Sequence, residues 1–195
     1  GALAAVLMLF EVPLPFLAPS FYGLDFAEVP MLVGTFALGP VAGIVMQIVK
    51  ILIKLILKPT STGFVGEFAN VVMSCALILP AGFIYRFKKS KNGALAGMAV
   101  GTVLMAVAGV VMNALVMIPF YSNFMPIETI IKAGAAVNPA VSSVWTLAIF
   151  CVGPFNLVKG TLTSVITAVI YKRISVLIHG ASHGTSGSYG VKKAV

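Results

Sequence analysis

Long apolar runs separated by short polar breaks limit the fold of this sequence more than any other feature. A helix needs about 20 mostly apolar residues to cross a bilayer. Charged residues make up only 9% of the 195-residue chain, whereas a soluble domain carries about 25%. The sequence therefore predicts an integral membrane protein. Its net charge of +8 indicates orientation in a bilayer better than it indicates nucleic-acid binding, which we do not expect.

The apolar runs predict a fold class, an all-α membrane protein with six transmembrane helices. We interpret residues 1–10 as the end of a first helix whose start is missing, and not as a signal peptide. The other five predicted helices cover residues 26–38, 41–57, 65–87, 93–118 and 154–178, with a short helix near 127–136 in the connection before the last. The transmembrane domain is thus predicted over residues 1–178, followed by a flexible tail rich in Gly and Ser over 179–195.

Basic residues give the expected orientation. One cluster occupies residues 86–91, between the fourth and fifth helices, and a second, at 172–173, ends the sixth. Placing both clusters in the cytoplasm satisfies the positive-inside rule. Both termini are then cytoplasmic, and the loops at 11–24, 58–64 and 119–153 face outward.

Polar residues inside the helices converge on the outer half of this bundle. Asn156 and Lys159 lie three residues apart and share one helix face. An ionisable group at membrane depth is costly and often marks a ligand site. At similar depth or on the same face lie Glu67, Asn70, Ser74, Asn113, Thr163 and Thr167. Two interpretations remain open: a pocket open to the outside, which so many residues at one depth favour, or a structural clamp in which Glu67 neutralises Lys159.

Glycines and methionines of the fifth helix suggest how a ligand could be enclosed. Gly97 and Gly101 indicate close helix packing, whereas Gly109 and Met112 flank Asn113 and are candidates for the pocket wall. A stripe of lysines at 50, 54 and 58 also has two interpretations. The stripe attracts an anionic ligand, or Lys58 extends to the surface and Lys50 pairs with an acid near residues 25–28.

Motifs for chemistry are absent from the sequence. It contains no Gly-x-x-x-x-Gly-Lys-Ser/Thr loop and no Cys/His cluster with metal-ligand spacing. Both histidines lie in the tail. The sequence therefore predicts recognition and not catalysis, with no ATPase activity, no cofactor and no metal.

Five stretches, in order along the chain, carry a family resemblance. They are residues 24–30, 38–43, 66–70, 78–81 and 154–160. The last, Pro-Phe-Asn-Leu-Val-Lys-Gly, is the most specific. In these stretches the chain resembles the riboflavin-binding substrate subunits of energy-coupling factor (ECF) vitamin transporters.

The resemblance implies a non-enzymatic six-helix binding subunit in a prokaryotic plasma membrane. Such subunits hold the vitamin in the outer half of the bilayer and work with a membrane scaffold subunit and two cytoplasmic ATPases. Carried over to this chain, the resemblance makes Asn113, Asn156 and Lys159 the first-rank riboflavin contacts and Glu67 and Asn70 the next. The loop over residues 11–24 would close over the ligand. Small residues of the first helix, Gly1 and Ala5, would dock on the scaffold.

Two alternatives remain open at this stage. The chain could be a substrate subunit for another vitamin or for the phosphorylated flavin FMN, for which the lysine stripe would suit a phosphate. It could also be a stand-alone secondary transporter or a small structural membrane protein.

Overall fold

Helices dominate the computed structural model, which describes residues 1–19, 22–60 and 62–182, with side chains as far as Tyr171. In chain order the elements are α1 (Ala2–Met8), β1 (Val12–Pro13), β2 (Gly23–Leu24), α2 (Glu28–Leu38), α3 (Pro40–Leu57), α4 (Val65–Phe87), α5 (Lys91–Met112), α6 (Ile118–Tyr121), α7 (Ile127–Val137), α8 (Val144–Leu147) and α9 (Gly153–Ser182). Two π-helical segments, π1 (Asn113–Met117) and π2 (Ala148–Val152), join α5 to α6 and α8 to α9.

Four helical segments in the described ranges are long and apolar enough to cross a membrane. They are Pro40–Leu57, Val65–Phe87, Lys91–Tyr121 and Val144–Tyr171. The prediction of a predominantly helical membrane protein is therefore confirmed. The count of six spanning helices stays a prediction, because α1 has 7 residues here and α2 has 11.

The last helical segment begins earlier than the sequence predicted. It begins at Val144, where Ser143 and Thr146 form a capping box, and not at Pro154. Pro154 misled the prediction because proline favours the first turn of a helix. Here it follows π2, in which the hydrogen-bond pattern is already irregular. The segment is helical as far as Ser182, the last described residue and four positions beyond the end predicted near 178. The rest of the predicted tail, 183–195, lies outside the described residues.

A glycine makes the tight connection between α2 and α3 possible. Gly39 has φ +96° and ψ 170°, a conformation that a side chain strongly disfavours. Pro40 then begins α3 with no need for a backbone donor. The predicted Gly-Pro break is confirmed.

Close packing of α4 on α5 supports the bundle. A Cβ added at Gly97 would come within 2.8 Å of the Ala81 carbonyl oxygen, and one at Gly101 would collide with the Leu77 carbonyl. Since neither neighbour is a flexible side chain, these glycines set the distance between the helices. The prediction of a packing role for Gly97 and Gly101 is confirmed.

Among residues whose side chains are described, two apolar clusters fill the interior. One contains Leu32, Leu77 and Met105, and the other contains Leu24, Leu147 and Phe155 together with partly buried loop residues. The short antiparallel pairing of β1 with β2 holds the two ends of the 11–24 loop together, with Val12 opposite Leu24. The candidate site lies where residues of both clusters meet.

Candidate functional site

A cavity of about 280 Å³ lies between the loop before α2 and helices α3, α4, α5 and α9. This volume is close to the lower end of the range for small-molecule sites, about 300–1,000 Å³. Apolar walls come from Met8, Met73, Met105, Met117 and Phe155. Polar and charged lining residues are Glu11, Tyr22, Asp25, Glu28, Lys54, Lys58, Thr62, Glu67, Asn70, Ser74, Asn113, Tyr121, Asn156 and Lys159.

A buried charge network stands on one side of the cavity. Lys159 Nζ donates to Asp25 Oδ2 at 2.8 Å and lies 3.3 Å from Glu28 Oε2. Lys50 Nζ lies 3.7 Å from Glu28 Oε1. Two ammonium groups thus face two carboxylates, which offsets the cost of removing each from water. The alternative in which Lys50 pairs with an acid near residues 25–28 is confirmed.

Hydrogen bonds from α3 and α4 complete this network. Ser74 Oγ donates to Glu28 Oε1 at 2.9 Å. Asn70 Oδ1 accepts from Lys50 Nζ at 2.8 Å and from Gln47 Nε2 at 3.1 Å. Asn70 therefore holds Lys50 in place and also lines the cavity.

Glu67 belongs to a second cluster, nearer the loop at residues 58–64. Its carboxylate makes a close ion pair with Lys54 and accepts hydrogen bonds from Thr60 at 2.9 Å and Thr62 at 3.2 Å. The alternative in which Glu67 neutralises Lys159 is wrong. The physical reason is that the Lys159 ammonium already forms ion pairs with Asp25 and Glu28.

Two buried carboxamides sit at the π-helical segments. Asn113, the first residue of π1, donates from Nδ2 to the Gly109 carbonyl at 2.8 Å and accepts from the Tyr22 hydroxyl at 2.7 Å. Asn156 donates from Nδ2 to the carbonyl of Val152, the last residue of π2, at 2.9 Å. Widened turns of this kind are frequent at functional sites. Here the hydrogen bonds to Gly109, Tyr22 and Val152 fix the orientation of both side chains.

Gly109 creates the space that Asn156 occupies. A Cβ at position 109 would lie 2.5 Å from Asn156 Nδ2. In the described part of the chain Asn156 makes its hydrogen bond through Nδ2, and no hydrogen bond to Oδ1 is formed. An incoming donor can therefore use this oxygen.

The structure brings together five of the residues singled out from the sequence. Asn113, Asn156, Lys159, Glu67 and Asn70 all line the cavity. The other three, Gly109, Met112 and Thr163, are not among the described residues that line it. Met112 and Thr163 are buried.

The two proposed docking residues have packing partners inside the chain. Ala5 is fully buried. A Cβ at Gly1 would lie 2.8 Å from Val49 of α3. Docking on a scaffold through Gly1 and Ala5 stays a prediction.

Sequence reasoning missed Asp25 as the partner of Lys159, and it missed Tyr22 and Phe155. Burial, followed by the nearby Glu28 carboxylate, raises the pKa of Asp25, while the Lys159 ammonium opposes that shift. Burial likewise raises the pKa of Tyr22, so its phenol stays protonated and can donate to Asn113. A signal for Asp25 was present, because the chain has only five acidic residues and two of them stand three apart before an apolar helix. Tyr22 offered no such signal.

Comparisons with known proteins agree on one family. The family model described as "ECF transporter, substrate-specific component" matches residues 1–171. The riboflavin transporter RibU of Staphylococcus aureus is 30% identical over 175 residues, which cover 90% of this chain and 86% of that protein. The riboflavin transporter FmnP of Bacillus subtilis is 28% identical over 177 residues, covering 89% of this chain and 87% of that protein.

A solved structure has a similar fold. It represents the S component of a bacterial ECF transporter and superposes with a TM-score of 0.69 at 30% identity, covering 91% of each chain. The long apolar helices fit the multi-pass membrane architecture of such a component. The matched range takes in the five cavity residues singled out from the sequence and the whole charge network. This chain belongs to the family of substrate-specific components of ECF transporters.

Proposed function

We propose that the chain binds riboflavin in the cavity between the 11–24 loop and α9, as the substrate-binding subunit of a vitamin uptake system. The observation that carries this proposal is the meeting of Asn113, Asn156 and Lys159 beside methionine and aromatic walls. Two relatives whose alignments cover about nine-tenths of the chain, at 28–30% identity, are named riboflavin transporters.

The wall chemistry suits a flat aromatic ligand. Met105 and Met117 offer adaptable, polarisable contacts, and Phe155 offers a ring surface. Tyr22 packs on Phe155 with ring centroids 5.9 Å apart. An isoalloxazine ring placed between these walls would bury its apolar part.

The polar groups suit the rest of riboflavin. The pyrimidine edge of a flavin carries both donors and acceptors, which carboxamides and an ammonium can match. Asn156 Oδ1 can accept from the flavin imide N–H. Lys159 Nζ and Asn113 Nδ2 can donate to the carbonyl oxygens of the flavin. The ribityl hydroxyls would then reach the cluster of Glu67, Thr62 and Lys54.

Charge balance favours riboflavin over its phosphate ester. Among the described residues, four carboxylates and four lysines lie in or beside the cavity: Glu11, Asp25, Glu28, Glu67, Lys50, Lys54, Lys58 and Lys159. Lys50 and Lys54 already form ion pairs with Glu28 and Glu67. A phosphate dianion would therefore meet a site without surplus positive charge, whereas a neutral ligand carries no such cost.

We further propose six spanning helices with both termini on the cytoplasmic side, together with a membrane scaffold subunit and two ATPase subunits as partners. The basic residues at 86–91 and 172–173 support this orientation. Family membership supports partnership with an ECF module.

Flavin fluorescence provides the test. Titration of purified protein with riboflavin should quench the fluorescence to saturation at one ligand per chain, and FMN should bind at least about ten-fold more weakly, a difference of about 1.4 kcal/mol. An absence of quenching by riboflavin would refute the proposal. Equal affinity for FMN would refute the argument from charge balance.

A further inference from the structure

A second recess lies away from the riboflavin cavity, on the outside of the bundle between α5 and α9. It encloses about 640 Å³. Lys91, Leu95, Ala99 and Val103 line it from α5, and Leu157, Val165 and Val169 line it from α9. We call this recess the α5–α9 groove, and we propose that it binds one anionic glycerophospholipid.

The groove walls belong to membrane-spanning helices and are apolar. Leu95, Val103, Val165 and Val169 are each more than 40% exposed, and all lie within spanning segments. Thr102 and Ser164, which also line the groove, are 3.3 Å apart and can satisfy each other by a hydrogen bond. In a bilayer such a surface is filled by hydrocarbon, because water is absent at that depth.

The length of the groove matches one leaflet. From Lys91 to Val103 the helix rises about 18 Å, at about 1.5 Å per residue. Leu157 to Val169 on α9 gives the same rise. Half of a hydrocarbon core of about 30 Å is about 15 Å. An acyl chain lying against Val103 would therefore place its headgroup close to Lys91.

Charge at the Lys91 end selects an anionic headgroup. Lys91 lines the groove itself, and the exposed Lys88 and Lys89 precede it in the connection between α4 and α5. The sequence contains no Asp or Glu from 68 to 127 or after Glu128. The cations at this end therefore have no acidic neighbours in the sequence. Basic recesses between transmembrane helices are suited to anionic lipid headgroups.

The local backbone adds to this preference. Lys91 is the first residue of α5, and Ser90 caps that helix by accepting from Gly93 N at 3.1 Å. A phosphate at this end would meet the positive end of the helix dipole as well as the Lys91 ammonium. The groove thus pairs an apolar trough with an anion-binding entrance.

Native mass spectrometry of the detergent-purified chain tests the proposal without reference to flavin binding. The probes are dioleoylphosphatidylglycerol and dioleoylphosphatidylcholine at equal concentration. We expect one phosphatidylglycerol retained per chain in preference to phosphatidylcholine. Lys91→Ala should reduce that retention about five-fold, the effect expected for one basic residue near an anionic headgroup.

A matched variant separates the groove from general surface attraction. Lys89→Ala removes one positive charge two residues before Lys91, but Lys89 is not among the described lining residues. We expect it to lower retention less than about two-fold, since it acts only through long-range attraction. Ala99→Trp, which fills the trough, should reduce retention of both lipids.

Three results would overturn the proposal. These are equal retention of the two lipids by the original chain, equal losses in the Lys91→Ala and Lys89→Ala variants, and unchanged retention in a folded Ala99→Trp variant. Circular dichroism establishes folding of each variant. Because riboflavin is absent throughout, failure of the lipid site would leave the flavin proposal untouched.

Discussion

Two ion-pair clusters border the same cavity, and they differ in what they connect. Lys159 and Asp25 are 134 positions apart in the chain, and their contact joins α9 to the loop before α2. Lys54 and Glu67 are only 13 positions apart and join α3 to the start of α4 across a short loop. The first cluster therefore holds distant parts of the fold together, whereas the second organises one local turn. The same type of ion pair thus joins distant parts of the bundle in one cluster and stabilises the connection between α3 and α4 in the other.

The sharpest test of this comparison is Asp25→Asn. It leaves Lys159 and Lys50 facing Glu28 alone, so one positive charge is buried without compensation. Removing one partner of a buried pair costs about 3–5 kcal/mol. We expect a large fall in thermal stability in detergent, measured by circular dichroism. The exposed Glu128→Gln is the control and should be neutral.

A double variant separates stability from recognition. Asp25→Asn with Lys159→Met removes one charge of each sign, so most of the lost thermal stability should return. Riboflavin affinity should not return, because the ammonium is gone. If affinity recovers along with stability, Lys159 is a structural group and not a ligand contact.

Lys159→Ala alone should weaken riboflavin binding by at least about 1.5 kcal/mol, the value of a hydrogen bond to a charged group. Fluorescence quenching of the folded variant measures the change. Lys132→Ala, on α7 and outside the cavity lining, is the matched control. Unchanged affinity in the folded Lys159→Ala variant would contradict the site.

Gly109→Ala tests how strictly Asn156 is positioned. The new methyl group would lie 2.5 Å from Asn156 Nδ2 and force that carboxamide to shift. We expect riboflavin affinity to fall by about 1 kcal/mol, as for one hydrogen bond lost. At Gly34 an added methyl group meets only the flexible end of Met46, so Gly34→Ala is the control. Equal effects at the two glycines would contradict a special role for position 109.

The smallest effect is expected at the cluster formed by Lys54 and Glu67. Glu67→Gln keeps an acceptor for Thr60 and Thr62, and Lys54, with 16% exposure, retains access to water. We expect a stability loss of less than about 1 kcal/mol, as for partly exposed pairs. A loss equal to that of Asp25→Asn would break the distinction between the two clusters.

The sequence predicted much of this arrangement because depth in a membrane follows from apolar run length. Asn113, Asn156 and Lys159 could be placed at one level for that reason, and the structure brings them to one cavity. The spanning segments at 40–57 and 65–87 matched their predicted ranges, since Gly39-Pro40 and the turn before Val65 mark their boundaries.

Which lysine pairs with which acid could not be predicted in the same way. Three lysines and three acids could have paired in several ways, and depth alone does not distinguish Glu67 from Asp25 as the partner of Lys159. The π-helical segments could not be predicted either. A widened turn shifts the helical register, and no particular residue type marks it in the sequence. Both failures concern the positions of side chains within one membrane depth, which hydropathy does not encode.

The long separation between Asp25 and Lys159 also imposes an order on biosynthesis. A ribosome makes Asp25 and Glu28 before Lys159, which follows Asp25 by 134 residues. Until the segment that carries Lys159 enters the bilayer, the two carboxylates have Lys50 as their nearby cation and lack the second. The charge-balanced network around Glu28 is therefore completed only when that segment is inserted.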